Sequence, residues 1–322
     1  MKKVSIIVPA YNEEESLPHF YEEMCKVINS LSSEYDFEML FINDGSKDNT
    51  LKILNQLRKK DPRVNYIDMS RNFGKEIGML AGFDFVRGDC AITIDADLQE
   101  PPNVIPEMLR KWEEGYDDVF GKRRLREQSV FKKSTSKVFH EILRKLSDIE
   151  VDSDSGDFRL LDRKCIEALK TLRETQRYTK GMYSWIGFNK TYVEYDISKR
   201  VAGKTKWNFR KLLHLAVNGI TSHSVMPLKL ASLIGVVTSL AAFIYMIYII
   251  IKAIIYGDPV AGFPTLMTVI LFLGGFILLA LGIIGEYLGR IFIETKRRPP
   301  YFVNSINGSN PLDYKTTNSY DK

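Results

Sequence analysis

The chain has 322 residues, with 45 Lys and Arg against 40 Asp and Glu, a net charge of +5. Hydrophobic residues make up 45% and charged residues 26%, which excludes intrinsic disorder, a collagen-like fibre and a disulfide-stapled miniprotein. Cys25, Cys90 and Cys165 are widely separated, and four dispersed histidines add no metal-ligand spacing, so the thiols read as inert in a reducing compartment.

The N-terminal MKKVSIIVPAYNEEE has a short apolar run that ends at Pro9, and three glutamates stand where a signal peptide needs small residues. It reads as a first strand over 4–10, and the globular part is expected in the cytosol. Further runs rich in Val, Ile and Phe occupy 37–43, 64–69 and 90–94. Helical spacing fills 16–31, 50–60 and 75–86 between them. This alternation predicts an α/β fold with a mostly parallel sheet covered on both faces.

Two later segments read as interfacial helices. In 129–147, Phe131, Val138, Phe139, Ile142, Leu143 and Leu146 recur at helical spacing beside Lys132, Lys133, Lys137, Arg144 and Lys145. In 207–222, Trp207, Leu212, Leu213 and Leu215 accompany Arg210 and Lys211. Basic amphipathic helices suit an anionic membrane surface, and packing on the globular core is the alternative.

Residues 230–285 hold two charged side chains, Lys252 and Asp258. At about 1.5 Å per residue, 230–251 and 260–285 can each cross a hydrocarbon core about 30 Å thick. The expected division is a cytosolic domain over 1–228, a transmembrane hairpin over 229–290 and a cytosolic tail over 291–322. Lys204, Lys206, Arg210, Lys211 and Lys229 precede the hairpin, and Arg290, Lys296, Arg297 and Arg298 follow it. The positive-inside bias then makes a multi-pass cell-membrane protein with both termini cytoplasmic. Gly274, Gly275 and Gly282 permit close helix packing, within one chain or in a homo-oligomer. The polar ending from Asn307 is expected to fray.

Polar residues gather at the carboxyl ends of the four strands: ProAlaTyrAsnGlu, AsnAspGlySer, SerArgAsnPheGlyLys and AspAlaAspLeuGln. Ligands of open α/β sheets bind there, so this edge is the predicted site. Asp95, Asp97 and Gln99 supply two carboxylates and an amide, suited to Mg²⁺ or Mn²⁺ shared with a diphosphate; helix capping is the alternative. Asp44 suits hydrogen bonding to a base or ribose, or turn chemistry alone. Pro9, Tyr11 and Glu13 form a similar wall, with Tyr11 able to pack on a base. Arg71 and Lys75 can neutralise phosphates. The absence of a Walker loop and of GxGxxG argues against a P-loop NTPase and a standard dinucleotide fold.

Together, VSIIVPAYNEEESL, NDGSKDNT, RNFGKE and DADLQEPP resemble the inverting GT-A glycosyltransferases of glycosyltransferase family 2. The polyprenyl-phosphate branch is the closer likeness: dolichol-phosphate-mannose synthases and bacterial enzymes that load glucose or N-acetylglucosamine onto undecaprenyl phosphate. GDFRLLDR, RYTKGMYSWIGF, RVAGKTKWNF and IGEYLGRIFIETKRRPPYFV extend it over residues 2–303. The resemblance implies that Pro9, Tyr11, Glu13 and Asp44 hold the nucleoside, while Asp95 approaches the ribose and diphosphate. It implies metal binding by Asp97 and Gln99, and a basic loop with Arg200 and Lys204 closing over the diphosphate. Arg123, helped by Lys132 or Lys133, is expected at the acceptor phosphate, with a solvated charge run as the alternative for GKRRLRE. Asp157 and Arg159 fall near the reacting sugar, where Asp157 acts as a base or positions substrates.

The implied activity is inverting transfer from UDP-glucose or UDP-N-acetylglucosamine to undecaprenyl phosphate for cell-envelope glycans. A flippase and a downstream glycosyltransferase would be its partners. A GDP-mannose-dependent dolichol-type synthase and a non-catalytic membrane adaptor are the alternatives. Nucleic acid drops out as a partner, and the missing QxxRW argues against a processive polysaccharide synthase.

Overall fold

In the first strand, β1 (Lys2–Ala10), Val4, Ile6 and Val8 face one side of a sheet and Ile7 the other, all fully buried. A strand that is apolar on both sides needs a layer of helices on each. This computed structural model describes residues 1–124, 155–175, 177–196, 226–256 and 262–311. The expected interfacial segments 129–147 and 207–222, with Lys132, Lys133, Arg200 and Lys204, lie outside the described residues.

Three strand–helix units open the fold: β1 with α1 (Leu17–Leu31), β2 (Tyr35–Asn43) with α2 (Thr50–Lys60), and β3 (Val64–Met69) with α3 (Lys75–Phe85). β4 (Cys90–Thr93) follows, then α4 (Ile105–Glu113), β5 (Asp118–Arg123), β6 (Ser155–Asp162), α5 (Arg163–Thr171), α6 (Thr179–Trp185) and β7 (Lys190–Tyr195). Phe20 and Met24 of α1, Leu54 of α2 and Met108 of α4 join Val4, Ile6 and Val8 in one core. Ile77, Met79 and Phe83 of α3, Ile166 of α5 and Met182 of α6 build the other around Ile7, Ile42 and Ile67.

The strand order is β7-β5-β6-β4-β1-β2-β3-β8, where β8 is Val303–Ile306. Its centre, β4-β1-β2-β3, is parallel. β6 runs antiparallel to both β4 and β5, and β8 antiparallel to β3. The expected mostly parallel sheet is therefore mixed. The parallel centre comes from strands joined by the crossover helices α1, α2 and α3, to which β6 and β8 add in the opposite direction.

Of the ending expected to fray from Asn307, residues 312–322 lie outside the described residues, and Asn307 itself is bonded to β3. Asn307 Oδ1 accepts from the Tyr66 amide at 2.8 Å, and its Nδ2 donates to Asn65 at 3.0 Å. Tyr301 donates to Asp84 at 2.6 Å, and Arg173 grips the same carboxylate with two 2.8 Å bonds. Polar side chains here satisfy the backbone of an outer strand instead of solvating a tail.

A separate unit contains α7 (Met226–Tyr256) and α8 (Phe263–Thr295). Leu233, Val236, Leu240 and Phe243 of α7 and Ile277, Leu278, Leu281 and Leu288 of α8 are exposed. Within α8, Phe272–Thr295 is long and apolar enough to cross a membrane; Leu233–Tyr245 of α7 is a shorter apolar stretch. Apolar faces of this extent need a nonaqueous neighbour.

Replacing Asn307 with Ala is expected to strip the Tyr66 amide of its partner and cost about 1–2 kcal/mol in chemical unfolding of the globular unit. Unchanged stability would contradict the role given to the Asn307–Tyr66 bond.

Candidate active site

The topology brings the expected residues to one edge. β1 to β4 end there, and β5 runs in the same direction because it is antiparallel to β6, which is antiparallel to β4. β6 therefore starts where the others finish. Thr93 pairs with Arg159, and Asp95 and Asp157 each lie two residues beyond this last pair, at the same edge. Lys75, the first residue of α3, places Nζ 2.8 Å from Asp95 Oδ2 and 2.8 Å from Asp157 Oδ2. Burial opposes ionisation of Asp157, but Lys75 and Lys180 hold its carboxyl below the ordinary range. Burial likewise works against the Lys75 charge, yet the two aspartates raise its pKa well above the usual value. Asp157 Oδ1 is buried with no hydrogen-bond partner among the described residues. Its backbone carbonyl accepts from the Thr93 hydroxyl.

The neighbouring loops are laced together. Asp44, 4% exposed at the end of β2, accepts from the Phe73 amide at 2.6 Å and the Gly74 amide at 2.8 Å. It thereby fixes the loop that launches Lys75. Burial pushes the Asp44 carboxyl up in spite of these two bonds. Gly45 has φ +63°, and a Cβ there would lie 2.5 Å from Arg71 and Asn72 backbone atoms, so only glycine lets the two turns touch. Asn12, with φ 54°, receives the Lys47 amide on its side chain and donates its own amide to Ser46. The Glu13 carboxylate accepts from Ser16, and the Glu13 amide donates to Thr50 at 2.9 Å. Pro9 is half-buried beside Ile42, while Tyr11 is 37% exposed at the rim.

Beyond β4, burial alternates residue by residue. Asp95, Asp97 and Gln99 are half-exposed, whereas Ile94, Ala96, Leu98 and Glu100 are buried. Leu98 adopts φ 57°, a strained choice for a leucine, and Asp97 Oδ1 accepts from the Gln99 amide at 3.1 Å. Among the described residues, no three His, Cys, Asp or Glu side chains form a metal cage. An outward carboxylate and amide still fit Mg²⁺ or Mn²⁺, because such ions take one or two protein oxygens and fill the remainder with phosphate and water.

Sequence reasoning missed Glu100. Its carboxylate is 3% exposed and accepts from the Asp95 amide at 3.3 Å, with Arg123 Nη2 3.6 Å away. Burial, then the Asp95 charge, pushes it up to about 7. The alternation just described was the available signal, since it sends Glu100 inward. Glu76 was missed too: it accepts from the Thr179 amide at 3.0 Å and so ties α3 to the start of α6. Arg159 does not face the pocket. It is 2% exposed, 2.7 Å from Asp118, with its guanidinium 3.6 Å from the Tyr183 ring centroid.

The edge thus joins Asp44, Lys75, Asp95, Asp157, Glu100 and Arg123, with Tyr11, Asp97 and Gln99 at its rim. Two family models match this chain: glycosyl transferase family 2 over residues 5–170 and the GtrB C-terminal hairpin over 226–291. The chain belongs to glycosyl transferase family 2. Its mixed-sheet α/β fold is GT-A-like. Among relatives of this family-2 chain, an uncharacterized glycosyltransferase of Synechocystis is 42% identical over 98% of this chain and 99% of its own length. A prophage bactoprenol glucosyl transferase homolog of Escherichia coli K12 is 43% identical over 94% of this chain and 99% of its own length. The bactoprenol glucosyl transferase of Shigella phage SfII is 43% identical over 96% and 100%.

In this family-2 domain, Gly45→Ala is expected to lower stability by about 1–3 kcal/mol in thermal unfolding, by forcing apart the turns that Asp44 joins. A melting temperature equal to wild type would contradict the close approach.

Proposed function

We propose that this glycosyltransferase moves glucose or N-acetylglucosamine from a UDP donor to undecaprenyl phosphate, with inversion, at the cytosolic face of the cell membrane. The observation that carries the reading is the match at 43% identity to bactoprenol glucosyl transferases over nearly the whole of both chains. It takes in the globular domain and the C-terminal helices alike, so the likeness extends past the sugar-nucleotide fold to the part that suits a lipid.

Donor binding follows from the edge. Tyr11 offers a ring to the base, with Pro9, Glu13 and Asp44 walling the nucleoside side. Asp95 approaches the ribose and diphosphate, and Lys75 meets the phosphates from the first turn of α3, where the helix dipole adds positive potential. Asp97 and Gln99 would hold Mg²⁺ or Mn²⁺, which stabilises negative charge as the sugar–diphosphate bond breaks. Arg200 and Lys204 supply further positive charge to the diphosphate.

The acceptor is already an anion near neutral pH. One of its phosphate oxygens attacks the anomeric carbon opposite the leaving diphosphate, so a strong general base is not required. Arg123 receives the lipid phosphate, with Lys132 and Lys133 adding to the attraction. Asp157 then orients the donor sugar while Lys75 holds its Oδ2.

A polyprenyl phosphate keeps its charged group at headgroup level, so the catalytic edge must be held at that height. α7 and α8 serve as a two-span hairpin, and the flanking Lys and Arg keep both termini cytoplasmic. A flippase and a second glycosyltransferase would consume the lipid-linked sugar, and the hairpin glycines suit self-association.

The test uses purified protein, Mg²⁺ or Mn²⁺, undecaprenyl phosphate and a panel of labelled UDP- and GDP-sugars. Lipid-linked glucose or N-acetylglucosamine from a UDP donor is expected; product from a GDP-sugar alone would overturn the donor assignment. Asp97→Ala is expected to cut transfer by at least about 100-fold, and near-normal turnover would remove the metal assignment.

A further inference from the structure

Arg123 ends β5 with its side chain 46% exposed, yet two buried groups hold it. Its Nε donates to the Tyr195 hydroxyl at 3.2 Å, and Nη2 lies 3.6 Å from Glu100 Oε1. Both partners are themselves fixed. Tyr195 is 3% exposed and packs edge-to-face on Phe158, with ring centroids 5.7 Å apart. A Cβ on Gly121, two residues before Arg123, would come within 2.8 Å of the Tyr195 ring, so the ring lies directly against β5. Glu100 is held at its other oxygen by the Asp95 amide. The Glu100 side chain therefore spans from the donor turn after β4 to the end of β5.

A carboxylate buried to this extent costs stability unless it is fully paired. A 3.6 Å contact and one 3.3 Å amide bond pair it incompletely. Retaining a charge at such a position gains little for folding. It does give a flexible arginine one direction, because a long guanidinium side chain at a strand end otherwise samples many rotamers.

We propose that Glu100 and Tyr195 are positioning residues that aim the Arg123 guanidinium at the acceptor phosphate and tie that aim to the donor turn. The inference rests on the reading of Arg123 as the residue that receives the acceptor phosphate. Glu100 orients through charge, Tyr195 through one hydrogen bond from a rigid ring. Neither touches substrate.

Steady-state kinetics with undecaprenyl phosphate and the active UDP-sugar test this in Glu100→Gln, Tyr195→Phe, Arg123→Ala and the Glu100→Gln/Arg123→Ala double variant. Both partner changes preserve volume. Glu100→Gln is expected to raise the acceptor KM about tenfold and Tyr195→Phe about threefold, with the donor KM within about twofold of wild type. In the Arg123→Ala background, Glu100→Gln is expected to add nothing, as it acts only through that arginine. Its melting temperature is expected to equal or exceed that of wild type, since a buried charge is removed; a structural role would lower it. Should that variant fail to fold, Tyr195→Phe decides through the same KM split.

The proposal is overturned if Glu100→Gln lowers activity equally with and without Arg123, or if both partner changes leave the acceptor KM unmoved while Arg123→Ala raises it. An acceptor KM unaffected by Arg123→Ala overturns the underlying placement of the acceptor as well.

Discussion

One ammonium group holds the catalytic edge together. Lys75 sits between Asp95, at the end of a parallel strand, and Asp157, at the start of an antiparallel one, at 2.8 Å from each. Without it, two carboxylates would face each other across neighbouring strands, and repulsion would either part them or protonate one. Asp157 would suffer most, because its other oxygen is buried without a partner among the described residues. In the proposed reading, the same cation lets a cluster rich in acids accept an anionic diphosphate.

The placement of Lys75 is in turn a consequence of the fold. Gly74 immediately precedes α3, and its φ of +96° turns the chain from the third strand into the helix. Asp44 receives the Phe73 and Gly74 amides and so determines where the helix begins. Gly45 lets this happen by leaving room for the Arg71–Asn72 backbone. At the far end of α3, Asp84 binds Tyr301 and Arg173, which couples the helix to the segment leading into β8. Among the described residues the site is therefore carried by strands and helices, and the loops after β1, β2 and β3 are short and mutually bonded, as preorganised electrostatics requires.

The parallel core and its polar edge were legible because each strand and helix there announces itself locally. Runs of Val, Ile and Phe alternate with helical spacing, and turn-forming polar residues follow each run. Asp95, Asp97 and Asp44 could be singled out from that pattern alone. β6 could not, since its partners in β4 and β5 lie more than 30 residues away and its sequence, SGDFRLLD, contains a fully buried arginine. The resemblance placed Arg159 near the reacting sugar, but Asp118 and Tyr183 allow it to be core instead. Glu100 was overlooked for the opposite reason: a glutamate before two prolines reads as a solvated turn. Asn304 and Asn307 made β8 look like tail, although each satisfies a polar group on the third strand.

The central claim is that the Lys75 bridge between Asp95 and Asp157 makes this edge competent for sugar transfer. The most direct measurement is the transfer rate of Lys75→Met at saturating donor and acceptor, in protein whose circular dichroism matches wild type. The account predicts a fall of about 100-fold or more, because both the bridge and the cationic approach to the diphosphate are lost. A rate within about twofold of wild type would contradict it, since the Lys75 bridge between the two carboxylates would then be dispensable for transfer.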